Sequence, residues 1–214
     1  MNIKSALRIF QTIRHLKWKQ IKFQLYYRLR AFYYKKPLLI EKEVEKITRF
    51  NFVIFNNAPY QDNSFIFLNI NHKFEESIDW NYAVYGKLWT YNLNYFEFLN
   101  SKLCTKLEGL KLINDYCDNR SSLKDGLEPY PTSLRIINWV KFLSHHQINN
   151  TNINSVLFND LQLLLDNLEY HILANHLLEN IFAVYMASIF FNDIVLKTKS
   201  QKILKEQLRE QILN

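Results

Sequence analysis

Apolar residues recur at three- and four-residue intervals along most of the chain, and this spacing predicts helices. In residues 106–120, Leu107, Leu110, Ile113 and Tyr116/Cys117 line one helix face. The same texture runs through 91–103 (YNLNYFEFLNSKL), 133–147 (SLRIINWVKFLSHHQ) and 199–213 (KSQKILKEQLREQIL). Another helix is expected from about Ser155 past Glu169, with a break near 170–174 before NHLLENIFAVYMASIFF. Residues 121–133 read as a loop because of Gly126, Pro129 and Pro131, with Thr132 or Ser133 as N-cap of the helix that follows. The asparagine-rich stretch 149–154 reads as a second loop.

Two runs depart from the helical period. FNFVIF (50–55) and SFIFLNIN (64–71) are β-prone, and the turn-rich NNAPYQDN between them predicts a hairpin, or extended segments over a helical body. Upstream, Leu7, Phe10, Ile13, Leu16/Trp18, Ile21 and Leu25 fall at roughly helical spacing among basic residues. Lys36-Pro37 ends that pattern, and 41–48 is a charged connector. The expected organisation is a basic amphipathic region, 1–40, followed by a helical domain, 41–214. The fold class is all-α, built of antiparallel helical hairpins with a short β-like excursion near residues 51–70. The last helix stops on an apolar turn at Leu213-Asn214 with no capping glycine, which reads as a domain cut short.

Composition narrows the function classes. At 48% hydrophobic and 22% charged, the chain is globular rather than disordered. Its three glycines, Gly86, Gly109 and Gly126, cannot assemble a phosphate-binding loop. No CxxC or HExxH occurs, and the His145–His146 pair beside an Asn-rich run reads as solvated, so neither metal nor cofactor is expected. Cys104 and Cys117 leave a disulfide open. Residues 1–40 hold ten Lys/Arg and no acid. Charges interrupt every candidate apolar core there, which argues against a signal peptide and a membrane span. The basic region then reads as an interfacial helix on anionic lipid, a partner-docking helix, a flank for a polyanion, or a solvated helix on its own domain. No helix-turn-helix, zinc-finger or RNA-recognition pattern points to nucleic acid.

Three stretches mix aromatic and polar residues in a way that suits sugars, whose C–H faces stack on rings while their hydroxyls need polar partners. DWNYAVYGKLWTYNLNYFEF offers Trp89, Asn92, Asn94 and Tyr95. EPYPTSLRIINW offers Tyr130, Trp139 and Arg135; the arginine suits a carboxylate or sulfate, or alternatively a clamp with Glu128 or another acid. EYHILANHLLEN sets Asn175 and His176 one turn before Glu179 and Asn180 in a leucine-rich helix. Polar groups there either line a wet cleft or tie neighbouring helices together.

In this order, KLWTYNLNYFEFL (87–99), EPYPTSLRIINWVKFL (128–143) and LEYHILANHLLENIFAVYMASIFF (168–191) resemble the heparinase II/III-like polysaccharide lyases, as does LYYRLR (25–30). The resemblance implies an α/α toroid followed by a β-sandwich domain, with acidic polysaccharide bound between them. It implies β-elimination next to a uronic acid: a base takes the C5 proton and the C4 oxygen leaves. Asn175 would neutralise the C6 carboxylate, and His176 would be its neighbour as carboxylate partner or proton-transfer group. Trp89, Asn92, Asn94, Tyr95, Tyr130, Arg135, Trp139 and Glu179 would line the cleft. Family members often have Gly before Asn175; Ala174 is expected to be tolerated. Their acid/base tyrosine sits in a Met-Tyr-His segment beyond a Gly-Gly-His-rich stretch, and these 214 residues end before it.

The expectation is therefore an incomplete toroid, inactive alone, whose partners are an acidic polysaccharide and a separately encoded C-terminal half. The alternative is a non-catalytic acidic-polysaccharide-binding or accessory protein of a polysaccharide biosynthesis locus. A third reading is peripheral membrane contact through residues 1–36. The expected location is the cytoplasm or the inner membrane face, with the periplasm, as for secreted family members, as the alternative.

Overall fold

A computed structural model describes residues 16–30, 32, 40–44, 48, 50, 60–61 and 63–212. Helix α1 is Trp18–Arg30. Strands β1 (Tyr60–Gln61), β2 (Ser64–Phe67) and β3 (Ile70–Lys73) form one antiparallel sheet in that order. Then come α2 (Lys87–Tyr95), a 3-10 turn (Glu97–Asn100), α3 (Lys106–Asp118) and a second 3-10 turn (Arg120–Ser122). Four long helices complete the chain: α4 (Pro129–His145), α5 (Thr151–Asp166), α6 (Ala174–Phe190) and α7 (Ile194–Ile212). The molecule is mostly helical, with the small sheet at one side.

Helix α4 is the hub. It packs on α2, α5 and α6, and α7 in turn packs on α6. Its buried face includes Ile136, Trp139, Val140 and Leu143, each fully or almost fully removed from water. An aromatic cluster joins it to the N-terminal half: Trp80 stacks on Phe96 at 4.9 Å, and Phe96 and Tyr116 both meet Trp139 edge-on. Edge-to-face and offset pairs of this kind add to area burial. Helix α3 approaches α4 closely because Gly109 faces the Phe142 ring; a Cβ there would lie 2.2 Å from it. Phe65 and Phe67 of β2 point inward against Phe98 and Trp89, whereas Ile66 faces solvent.

Several boundaries differ from the sequence expectation. SFIFLNIN is not one strand but most of a hairpin, with Ser64 opposite Lys73 and Phe67 opposite Ile70. Its two turn residues, Leu68 (φ 54) and Asn69 (φ 62), both adopt positive φ, as a type I′ turn requires. The strand expected at 50–55 lies outside the described residues, apart from Phe50. So does the expected N-terminal helix before residue 16. The aromatic segment 91–103 is interrupted at Phe96, whose φ of 58 ends α2; its ring, buried against Trp80, offsets that strain.

Helix α4 starts at Pro129, not at Ser133. Proline lacks only an N–H that is unpaired at a first helical position, so it opens the helix there instead of breaking it. Residues 151–154, expected as loop, are the first turn of α5, capped by the Asn150 side chain on the Ile153 N–H. Helix α5 ends at Asp166, short of Glu169, and the break before α6 falls where expected. Helix α7 begins at Ile194 because Asp193 caps the Leu196 N–H. Cys104 and Cys117 are both buried and free. Burial pushes each thiol up to about 12.

Candidate functional site

The turn between α5 and α6 carries two consecutive residues at positive φ. Leu173 has φ 62 and ψ −151, a region essentially reserved for glycine, and Ala174 follows at φ 51. The turn is held from inside. The Glu169 carbonyl accepts from the N–H groups of Ile172 and Leu173. The Glu169 N–H donates to Asn180 Oδ1 (2.8 Å), and Asn180 Nδ2 donates back to Glu169 Oε2 (3.1 Å) and to Ser133 Oγ (3.0 Å). Asn180 therefore ties turn, α6 and α4 together, and a fully satisfied network in a buried setting fixes one geometry.

That geometry sets the outer residues. The other Glu169 oxygen lies 3.1 Å from His176 Nδ1. Glu169 itself is buried, while 36% of the His176 side chain is exposed. A carboxylate on Nδ1 favours the tautomer protonated there and leaves Nε2 as the ring's other polar atom. The His176 ring meets Tyr130 at 4.8 Å, and Tyr130 meets Tyr95 at 6.2 Å. Asn175, the first polar residue of α6, is exposed, and its side chain makes no hydrogen bond among the described residues. Beyond it lie half-buried Glu179 and Lys141. Burial raises the Glu179 carboxyl, opposed by Lys141, and burial lowers the Lys141 ammonium, opposed by Glu97 and Glu179. Burial pushes the Tyr95 hydroxyl up to about 12 and raises that of Tyr130, with Glu179 and Glu169 adding to the latter.

The expected cleft residues divide into two groups. Asn175, His176, Tyr95, Tyr130 and Glu179 come together on this face. Asn92 is partly exposed on α2, with its amide donating to the Leu88 carbonyl at 2.8 Å. Trp89, Asn94, Arg135 and Trp139 are fully buried, which corrects their assignment to a solvent-facing cleft. Trp89 and Trp139 fill the aromatic core. Asn94 donates to the Trp80 and Thr90 carbonyls, both at 2.9 Å. Arg135 is the clamp of the two alternatives, with Asp160 as its acid rather than Glu128. Its Nε donates to Asp160 Oδ2 at 2.7 Å, and its other nitrogens bond the carbonyls of Gly126 and Asn94 and the Thr132 hydroxyl. Arg120 pairs with the second Asp160 oxygen, and Tyr116 lies under the guanidinium at 5.0 Å.

Glu128 instead serves α2: it accepts from Tyr91 (2.6 Å) and Lys87 (2.6 Å) and from the Gly126 N–H. Asn180 takes the helix-tying alternative raised for the polar stripe, whereas Glu169 and Lys141 are additional members of the site. A faint signal for Glu169 existed, since Glu169 and Asn180 flank Asn175–His176 within EYHILANHLLEN; Lys141 gave none. Among the described residues, no group of three or more His, Cys, Asp or Glu is placed to hold a metal ion. No family model matches the chain, and neither a curated protein nor a solved structure matches it.

Proposed function

We propose that this chain is the N-terminal helical domain of a heparinase II/III-like polysaccharide lyase, with its helical hairpins laid out as part of an α/α toroid. In this reading the start of α6 is the uronate-binding side of the cleft. The observation that carries it is an exposed, unengaged Asn175 on a strained turn, beside a histidine whose ring is oriented by buried Glu169. Strain is retained where a surrounding network over-determines it, and such places cluster at binding sites. The Asn175 amide would donate to the C6 carboxylate. His176, held at Nδ1, would present Nε2 to the same group or to a ring hydroxyl. Tyr130 and Tyr95 would offer faces for the sugar ring.

Elimination needs charge neutralised at the carboxylate while a base takes the C5 proton. Asn175 and His176 serve the first requirement. Burial raises both the Tyr130 and the Tyr95 hydroxyl, which works against the phenolate that the second would draw on. None of the thirteen tyrosines stands in the Met-Tyr-His context that the family uses. The chain alone is therefore expected to bind oligouronates without cleaving them, and the same exposed Asn175 and His176 would serve an accessory polysaccharide-binding protein.

The test is calorimetric titration of the purified chain with defined oligouronates, with ultraviolet detection of unsaturated product run alongside. Binding that disappears in Asn175→Ala and His176→Ala supports the reading. Equal binding by both variants removes it.

A further inference from the structure

Helix α1 has two unlike faces. One is engaged with the turn below the candidate site. Gln20 donates to the Ile172 carbonyl, Tyr27 donates to the Leu168 carbonyl, and Arg30 reaches Asp166 and Asn167. Phe23 stacks on Tyr170 at 4.5 Å, and Lys19 lies over the same ring. Lys17 pairs with Glu210 of α7. These contacts fix the roll of the helix about its axis.

With that roll fixed, the opposite face is determined. Trp18, Leu25 and Leu29 lie seven and four residues apart, on one stripe, and are 76%, 54% and 63% exposed. Phe32, in the turn closing the helix, extends the stripe and is 89% exposed. Tyr26 flanks it on one side, and Lys22 and Arg28 stand exposed within and beside it. No acidic residue occurs anywhere in residues 1–40. The core is apolar and aromatic, and the rim is cationic.

We propose that this stripe docks the protein onto an anionic lipid surface, with α1 lying in the plane of the interface. An amphipathic helix with Trp and Leu on one face and Lys and Arg around it has the composition that partitions to the headgroup boundary. Indole and phenol rings favour that depth. Charge complementarity selects the occupant: a second copy would bring the same cationic rim against itself, whereas anionic headgroups neutralise it. A soluble polyanion would engage the rim but leave Trp18, Leu25, Leu29 and Phe32 in water. The contact is peripheral, since no described helix is long and apolar enough to cross a membrane.

The protein carries its own reporter. Of its four tryptophans, Trp80, Trp89 and Trp139 are buried, and Trp18 is exposed. The experiment mixes the full chain with vesicles of phosphatidylcholine alone or with added phosphatidylglycerol, reading tryptophan emission and co-sedimentation. The expected result is a blue shift and sedimentation with the anionic vesicles, at least ~10-fold weaker on phosphatidylcholine alone and weakened by salt. Leu25→Asp/Leu29→Asp is expected to lose at least ~10-fold in partition with an unchanged melting temperature, because both side chains face solvent. Lys22→Gln/Arg28→Gln is expected to keep the blue shift but lose the anionic preference. Absence of binding to anionic vesicles at low salt overturns the proposal. So does partition of the double aspartate variant equal to that of the parent chain. Preferential capture by a soluble sulfated polyanion, with Trp18 emission unmoved, overturns it too and assigns the face to a polyanion.

Discussion

Two polar clusters, each built around a buried carboxylate, differ in whether they open to solvent. Arg135, Asp160 and Arg120 form one of them, with both Arg135 and Asp160 side chains wholly removed from water. Glu169, Asn180 and His176 form the other, sealed on its inner side and open at His176. In the first, the Arg135 guanidinium bonds protein acceptors on all three nitrogens and faces no solvent. In the second, the inner residues spend their hydrogen bonds on holding the turn, and Asn175 and the outer edge of His176 remain available. Residue type does not separate a clamp from a site; the division between satisfied and outward-facing groups does.

If the comparison is right, breaking the clamp has the largest effect on stability. Asp160→Asn leaves Arg135 buried with its charge unmatched and is expected to cost about 3–5 kcal/mol in denaturant unfolding. Its pH dependence sharpens the point. Burial alone would raise the Asp160 carboxyl, but Arg120 and Arg135 outweigh it and hold it below the ordinary carboxylate value. Its stabilising contribution is then present above about pH 4 and lost as pH falls through the lowered value. The Asn variant is expected to show a shallower loss of stability over that acid window.

The tie behind the candidate site comes next. Asn180→Ala strands the Glu169 N–H and a carboxylate oxygen, and is expected to cost about 1–3 kcal/mol. It should also loosen His176, visible as a change in its imidazole resonances. Relief of strain runs the other way. Ala174→Gly places a permissive residue at φ 51 and is expected to stabilise by about 0.5–1 kcal/mol, read as a higher unfolding midpoint. A destabilised glycine variant would mean that the strain at this turn is not a cost the fold carries. The smallest effect belongs to Glu179. Its raised carboxyl costs stability as pH rises from the ordinary carboxylate range through its folded value. Glu179→Gln is expected to gain roughly a few tenths of a kcal/mol at neutral pH, discounted for its partial exposure.

The sequence made some of this legible for clear reasons. Helix α3 could be read from its apolar spacing alone, and the structure adds a Thr105–Glu108 capping box that agrees with it. The break before α6 showed because the periodicity lapses there. Other features hinge on partners that are distant along the chain. Arg135 finds its acid 25 residues away, so EPYPTSLRIINW allowed a clamp as one of two alternatives but could give neither its partner nor its burial. The hairpin turn at Leu68-Asn69 lacks the glycine that ordinarily marks it. Pro129 was read as a breaker because proline starts and stops helices with the same symbol. Ala174 looked harmless by size, but its positive φ makes the position one where glycine would be easier. Within EYHILANHLLEN, the polar stripe does both things that the pattern allowed: Asn180 ties helices together, and Asn175 faces outward.

The central claim is that Asn175 and the outer edge of His176 are spared from structural duty and kept for a ligand. The most direct measurement is to compare Asn175→Ala with the parent chain in two readings, thermal unfolding and titration with an oligouronate. The account predicts unfolding midpoints that agree to within about 0.5 kcal/mol of stability, together with loss of oligouronate binding. A variant that is clearly destabilised, or one that binds as the parent does, contradicts it.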